Sequence, residues 1–235
     1  MFWFYSIVGL NPRFLQICEA LHIVLYAYGA NNPVKYTDPD GMAQTNAQKF
    51  ITAALKIISN SSPSARNYIK EHTFIQINRS VNDNGQNGKY FQSKECVSFC
   101  GIPLNIIDVQ STADWKSQVD AGKGATIDAG TYTGTLLNKS GSFENAISIT
   151  GNKVKESDYV LCHPNVKTAL GETEEYGTGS SKGRPLSLAC QISHLADFNE
   201  VTNIIKDLGF EYGSGDTAWA KGDSLKIIII APKEE

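Results

Sequence analysis

Five cysteines and four histidines carry most of the nucleophilic and acid-base potential of this 235-residue chain. Among the thiols, Cys18, Cys96, Cys100, Cys162 and Cys190, the one at Cys96 has the local sequence best suited to reactivity. The apolar positions between Phe91 and Ile107 fit a helix that starts near Glu95, with Pro103 forcing a kink or an early stop. A thiol at a helix N-terminus has its pKa lowered by the helix dipole, and the thiolate is the form that attacks carbonyl carbon. Glu95 works against this, because a neighbouring carboxylate disfavours a second negative charge. A reactive Cys96 therefore needs a compensating group such as His163. The plainer reading makes Cys96 and Cys100, one turn apart, small buried residues on one helix face. Neither Cys96/Cys100 nor Cys162-His163 has the Cys-x-x-Cys spacing of a zinc knuckle, and an odd, irregular set of cysteines does not make a disulfide framework. No metal and no cofactor is expected. His72 and His194 stand alone and read as surface or core residues.

These side chains need elements to position them. Thr45-Asn46 can cap a helix in which Phe50, Ala54, Leu55, Ile57 and Ile58 recur at helical spacing, until Ser59-Asn60-Ser61-Ser62-Pro63 ends the run. Ala65 to Ile69 is a short helical turn before the alternating strand Thr73-Phe74-Ile75-Gln76-Ile77. A polar loop over residues 82–88 then leads to the Cys96 stretch. A second short helix is expected from Asp114 to Val119. Strands are expected at Ala125–Ala129, Ala146–Thr150 and Asp158–Cys162, the last two joined by a turn at Gly151-Asn152. Leu170 to Pro185 reads as a loop. Asp197 to Leu208 is an amphipathic helix stopped by Gly209, and Phe210–Tyr212 is expected to pair with Ser224–Ile230 as a closing hairpin. The four isoleucines from 227 to 230 read as a central strand buried on both faces, because exposed they would be an aggregation hazard.

The most informative string in the chain is Leu25-Tyr26-Ala27-Tyr28-Gly29-Ala30-Asn31-Asn32-Pro33-Val34-Lys35-Tyr36-Thr37-Asp38-Pro39-Asp40-Gly41-Met42. Local chemistry reads it as a short strand between two turns. As a whole it closely resembles the segment that closes the core of rearrangement-hotspot (Rhs, YD-repeat) proteins. The match lies at Asn31, Asn32, Pro33, Asp38, Pro39 and Gly41, with Met42 where the family has Leu, and Arg13-Phe14-Leu15-Gln16 resembles the phrase that precedes it. The resemblance implies a core end over residues 1–42 and a variable, toxin-like C-terminal domain over residues 43–235. It also implies delivery from the cell as part of an Rhs protein, an upstream Rhs core in a full-length parent, and an immunity protein as partner if the tip is toxic. A chain starting inside the core reads as a displaced tip or a gene fragment.

Gln92-Ser93-x-Glu95-Cys96-x-x-x-Cys100 resembles the start of the papain-like peptidase domain that clips leader peptides for bacteriocin exporters. That resemblance implies Cys96 as nucleophile and Gln92 as the oxyanion donor. In the family a strand beginning with His and a following strand ending in Asp supply the base and its orienting group. Here Asn145 stands where the His is expected and His163 where the Asp is. An exchange of roles would make His163 the base and Asn145 the orienter, since Asn serves as the third member of some Cys-His sites. The alternative is that the chemistry is lost and the tip is a non-enzymatic binding or structural module.

Composition sets outer limits. With 41% hydrophobic and 19% charged residues, the chain can build one good core plus a short appendage. A net charge of -3 does not advertise nucleic-acid binding, which needs clustered Lys and Arg. The apolar run Met1 to Leu10 lacks a positive flank and is cut by Asn11-Pro12-Arg13, so neither a signal peptide nor a membrane span is expected. Helices followed by strands with Gly-rich turns indicate an α+β domain with a largely antiparallel sheet, papain-like if the second resemblance holds.

Overall fold

Thr45 opens the first helix by reciprocal capping. Its hydroxyl accepts from the Gln48 backbone N–H at 3.3 Å, and the Gln48 side chain accepts from the Thr45 N–H at 2.8 Å. The helix, α1 (Asn46–Ser61), buries Ile51 and Leu55 but leaves Phe50 and Ile57 exposed at 63% and 74%. Ser62 caps α2 (Pro63–His72), with Pro63 in the first turn where its missing N–H costs nothing. The computed structural model describes residues 45–83, 89–112, 127–140, 143–164, 189–215, 217 and 219–232. The boundary motif Asn32, Pro33, Asp38, Pro39 and Gly41 lies outside the described residues, as do the helix expected at Asp114–Val119 and the loop expected at Leu170–Pro185.

Strands make up most of the remainder: β1 (Thr73–Asp83), β2 (Lys89–Phe99), β3 (Ile102–Pro103), β4 (Ile107–Thr112), β5 (Gly130–Leu137), β6 (Lys139–Ser140), β7 (Phe143–Glu144), β8 (Ile147–Thr150), β9 (Leu161–Pro164), β10 (Gln191–Ser193) and β11 (Lys221–Ile230). A third helix, α3 (Leu195–Asp207), links β10 to the segment before β11. The sheet runs β1-β11-β5-β8-β9-β10-β4-β2, and β2 pairs back onto β1, so the strands close into an eight-stranded barrel with β3 appended to β2. The β1–β11 and β9–β10 ladders are parallel and the others antiparallel. β6 and β7 form a separate small hairpin.

This closed barrel corrects the expectation of an α+β, papain-like domain. The decisive difference is β2. The stretch read as a helix from Glu95 is a strand paired residue for residue with β1 from Lys89 to Phe99 and with β4 from Tyr90 to Glu95. Its period is two: Val97 and Phe99 enter the core, and Ser93 and Glu95 share their face. A helix would forfeit both ladders.

The inner face is set by Ile75 and Ile77 of β1, Ile107 and Val109 of β4, Tyr132 and Leu136 of β5, Ile147 and Ile149 of β8, and Ile227 and Ile229 of β11. α3 contributes Phe198, Val201, Ile204 and Ile205 to the same core. It touches β2 and β9, which are not neighbours in the sheet, so it lies across one end of the barrel. α1 packs on α3 behind it.

β11 is flanked on both sides, by β1 and β5, but its faces differ. Ile227 and Ile229 are buried, Ile228 is half-buried and Ile230 is 42% exposed. The strand is therefore buried on one face only, and Phe210–Tyr212 is not its hairpin partner. Glu211 touches it at one point, where the Asp223 N–H donates to the Glu211 carbonyl at 2.8 Å. No described helix is long and apolar enough to cross a membrane.

Candidate functional site

Cys96 lies mid-strand on the outward face of β2, between the inward-facing Glu95 and Val97. It lines a groove of about 540 Å³ with Gln76, Asn78, Ser98 and Ile106. No helix dipole acts on it. Burial pushes the thiol up; the Ser98 hydroxyl, 3.4 Å from Sγ, offsets this only in part, and the charge of Glu95 adds to the rise. The protonated form is favoured.

His163 is in β9, with Nδ1 2.7 Å from the Pro164 carbonyl oxygen, and burial lowers its pKa so that the neutral ring is favoured. In the barrel, β10 and β4 stand between β9 and β2. The register runs His163–Ile192–Gln110–Gln92, so Cys96 lies three strand spacings of about 4.8 Å across the sheet from His163 and a further four residues of about 3.3 Å along β2. The two are not brought together. Asn145 precedes β8 in a left-handed backbone conformation (φ 55°), two residues before Ile147, whose ladder partner Cys162 is next to His163 in β9. The pair that the exchanged-role reading needs is thus close in the fold, but on the far side of two strands from the thiol. Gln92 is in β2, in register with Gln110, and its side chain lies outside the described structure. Cys100 is disulfide-bonded, whereas Cys96, Cys162 and Cys190 are free thiols. Cys100 packs partly buried against the core, as expected, but in a left-handed turn (φ 50°) after β2 and not on a helix.

The interior holds a second polar constellation. Arg79 follows Ile75 and Ile77 in the inward phase of β1 and is 6% exposed. Its Nη1 donates to the Ile127 carbonyl at 2.7 Å, and the guanidinium carbon lies 4.5 Å from the centre of the Phe91 ring. Its Nε and Nη2 are buried with no hydrogen-bond partner. Burial pulls the guanidinium down to about 10, offset in part by Tyr132 and Asp128, which leaves it charged at neutral pH. Ser93, directly opposite Arg79 in the β1–β2 ladder, and Ser111, opposite Phe91 in the β2–β4 ladder, are both buried with unpartnered hydroxyls.

Further along the inner face Glu95 is also buried, and burial alone raises its pKa to about 8. Cys162 and the Tyr212 hydroxyl lie within electrostatic reach of it, and both are pushed up, chiefly by burial. Among the described residues no group of three or more His, Cys, Asp or Glu side chains could hold a metal ion.

No family model, curated protein or solved structure matches the chain.

The site therefore rests on its own chemistry. Sequence reasoning missed Arg79, Ser93 and Ser111, although the signal was present. In Ile75-Gln76-Ile77-Asn78-Arg79, a charged residue falls in phase with buried isoleucines of an alternating strand, and such a residue points into the core.

Proposed function

We propose that this chain is the tip of an Rhs-type protein in which the barrel acts as a binding module, and that it is not a cysteine peptidase. The Rhs part of the reading rests on the motif from Asn31 to Gly41, and the binding part on the barrel. The single observation that supports it most is the separation of Cys96 from His163 by two intervening strands, with the thiol held protonated and the imidazole engaged by a carbonyl. Nucleophilic catalysis needs thiol and base within hydrogen-bond reach. An eight-stranded barrel, in contrast, has an interior wide enough to be filled by side chains or to hold one small ligand.

The test is growth. The chain is expressed in bacterial cytoplasm, or directed to the periplasm, as wild type, Cys96→Ser and His163→Ala, with folding checked by circular dichroism. All three forms are expected to affect growth equally, whether that effect is none or an arrest relieved by an immunity protein. Selective loss of toxicity in folded Cys96→Ser or His163→Ala would sink the binding-module reading.

A further inference from the structure

We propose that the interior of the barrel around Arg79 is a binding site for a small oxoanion, the phosphate or carboxylate group of a small molecule, held side-on by Nε and Nη2 of Arg79 and by the hydroxyls of Ser93 and Ser111. This rests on the reading of the barrel as a binding module and names the ligand that it takes.

The geometry of the guanidinium carries the argument. Nη1 is anchored to the Ile127 carbonyl, and the Phe91 ring covers the guanidinium face. These two contacts fix the plane and leave one edge free. That edge is the Nε–Nη2 fork, the pair of parallel N–H donors that matches two oxygens of a carboxylate or phosphate. Both nitrogens are buried, and among the described residues no acceptor pairs with them.

A buried cation left this way is costly. Its charge has been taken out of water without gaining a counter-charge in return. Among the described residues no carboxylate pairs with Arg79; Asp128, whose charge reaches it, is exposed. Glu95, the acid on the same inner face, is held neutral by its own burial.

The neighbouring unpartnered groups have matching chemistry. The hydroxyls of Ser93 and Ser111 can each donate one hydrogen bond, and together with the fork they present four donors. Two hydroxyls that can donate beside a cationic fork favour an anion. Placement on the inner face of a closed sheet favours a small molecule over a polymer.

The experiment uses the full chain labelled with ¹⁵N. The Nε–H signal of Arg79, assigned by its absence in Arg79→Lys, is followed while inorganic phosphate or acetate is added against chloride at matched ionic strength. The expected result is a saturable shift of that signal with phosphate, acetate or both. The more effective anion identifies the phosphate or carboxylate class. Ser93→Ala and Ser111→Ala keep the guanidinium in place and are each expected to weaken binding several-fold. Arg79→Lys, which has no such signal and is therefore compared with wild type by isothermal titration calorimetry, keeps the charge but loses the fork, and is expected to weaken binding about tenfold or more. An unmoved Nε–H signal with both anions, or saturable binding that Arg79→Lys leaves intact, overturns the proposal. Neither result bears on the growth test of the barrel as an Rhs-type tip.

Discussion

Glu95 is a carboxyl group inside an apolar barrel, in register with Ile77 on one side and Ile107 on the other. Its pKa is raised from the ordinary 4.5 to about 8, so the folded state holds a proton that the unfolded chain releases. The contribution is therefore least unfavourable below about pH 4.5, declines as pH rises, and levels off above about pH 8. The slope approaches ~1.4 kcal/mol per pH unit for one proton. Glu200, whose pKa is raised chiefly by burial, adds a slope of the same sign. Glu95→Gln keeps the neutral shape and removes the Glu95 ionisation. Its urea midpoint is expected to vary less between pH 5 and pH 8 than that of wild type, and to exceed it at pH 8. Parallel pH profiles for the two proteins would show that Glu95 stays ionised in the fold. At this scale the sequence was misleading about Cys96. Adjacency of Gln92, Glu95 and Cys96 reads as a helical active-site start only if the segment is helical, and nothing in eleven residues reveals that two ladders will claim it.

Elements were more legible where local chemistry decides them. The Thr45 cap, the end of the first helix within Ser59–Pro63 and the Gly209 stop follow from capping and turn propensities, and each is where the residues put it. The failures are elements defined by distant partners. Phe210–Tyr212 and β11 look like a hairpin in sequence, but β11 leaves after one contact at Glu211 and inserts between β1 and β5. That contact is tight. The Asp223 carboxylate accepts from the Glu211 N–H at 2.6 Å and pairs with Lys70 of α2 at 2.7 Å, and Gly213 and Gly222 bring the two backbones so close that a Cβ on either would collide with main-chain atoms. Glycine is required there for approach. Gly222→Ala is expected to lower stability by on the order of 2–3 kcal/mol, read as a shifted urea midpoint at unchanged slope. A loss within about 0.5 kcal/mol, the range of an indifferent surface change, would show that the backbones can separate freely.

For the whole molecule, closure is the dominant fact. β1 pairs locally with β2 and, across some 150 residues of sequence, with β11. Composition and periodicity foretold strands and a core; they did not foretell that β1 and β11, the first and last of the described strands, would meet, because pairing partners at that separation leave no local signature. A chain ending at Ala220 is expected to lose cooperative unfolding and to bind a hydrophobic dye, because Ile75, Ile77, Tyr132 and Leu136 would lose Leu225, Ile227 and Ile229 as neighbours. A cooperative transition in that truncated chain would mean that the other strands hold together without the closing one.

The position of β11 also has a meaning in time. During synthesis the chain emerges from its N-terminus, and α1, α2 and the β1–β2 hairpin can form as soon as they leave the ribosome. The barrel cannot, because the strand that joins β1 to β5 is made last among the described strands. Until residue 230 clears the exit tunnel the sheet is an open ribbon with β1 and β5 as bare edges, exposed to chaperones and able to pair with other chains. The interval between the emergence of β5 and that of β11 thus governs how long the nascent sheet remains open.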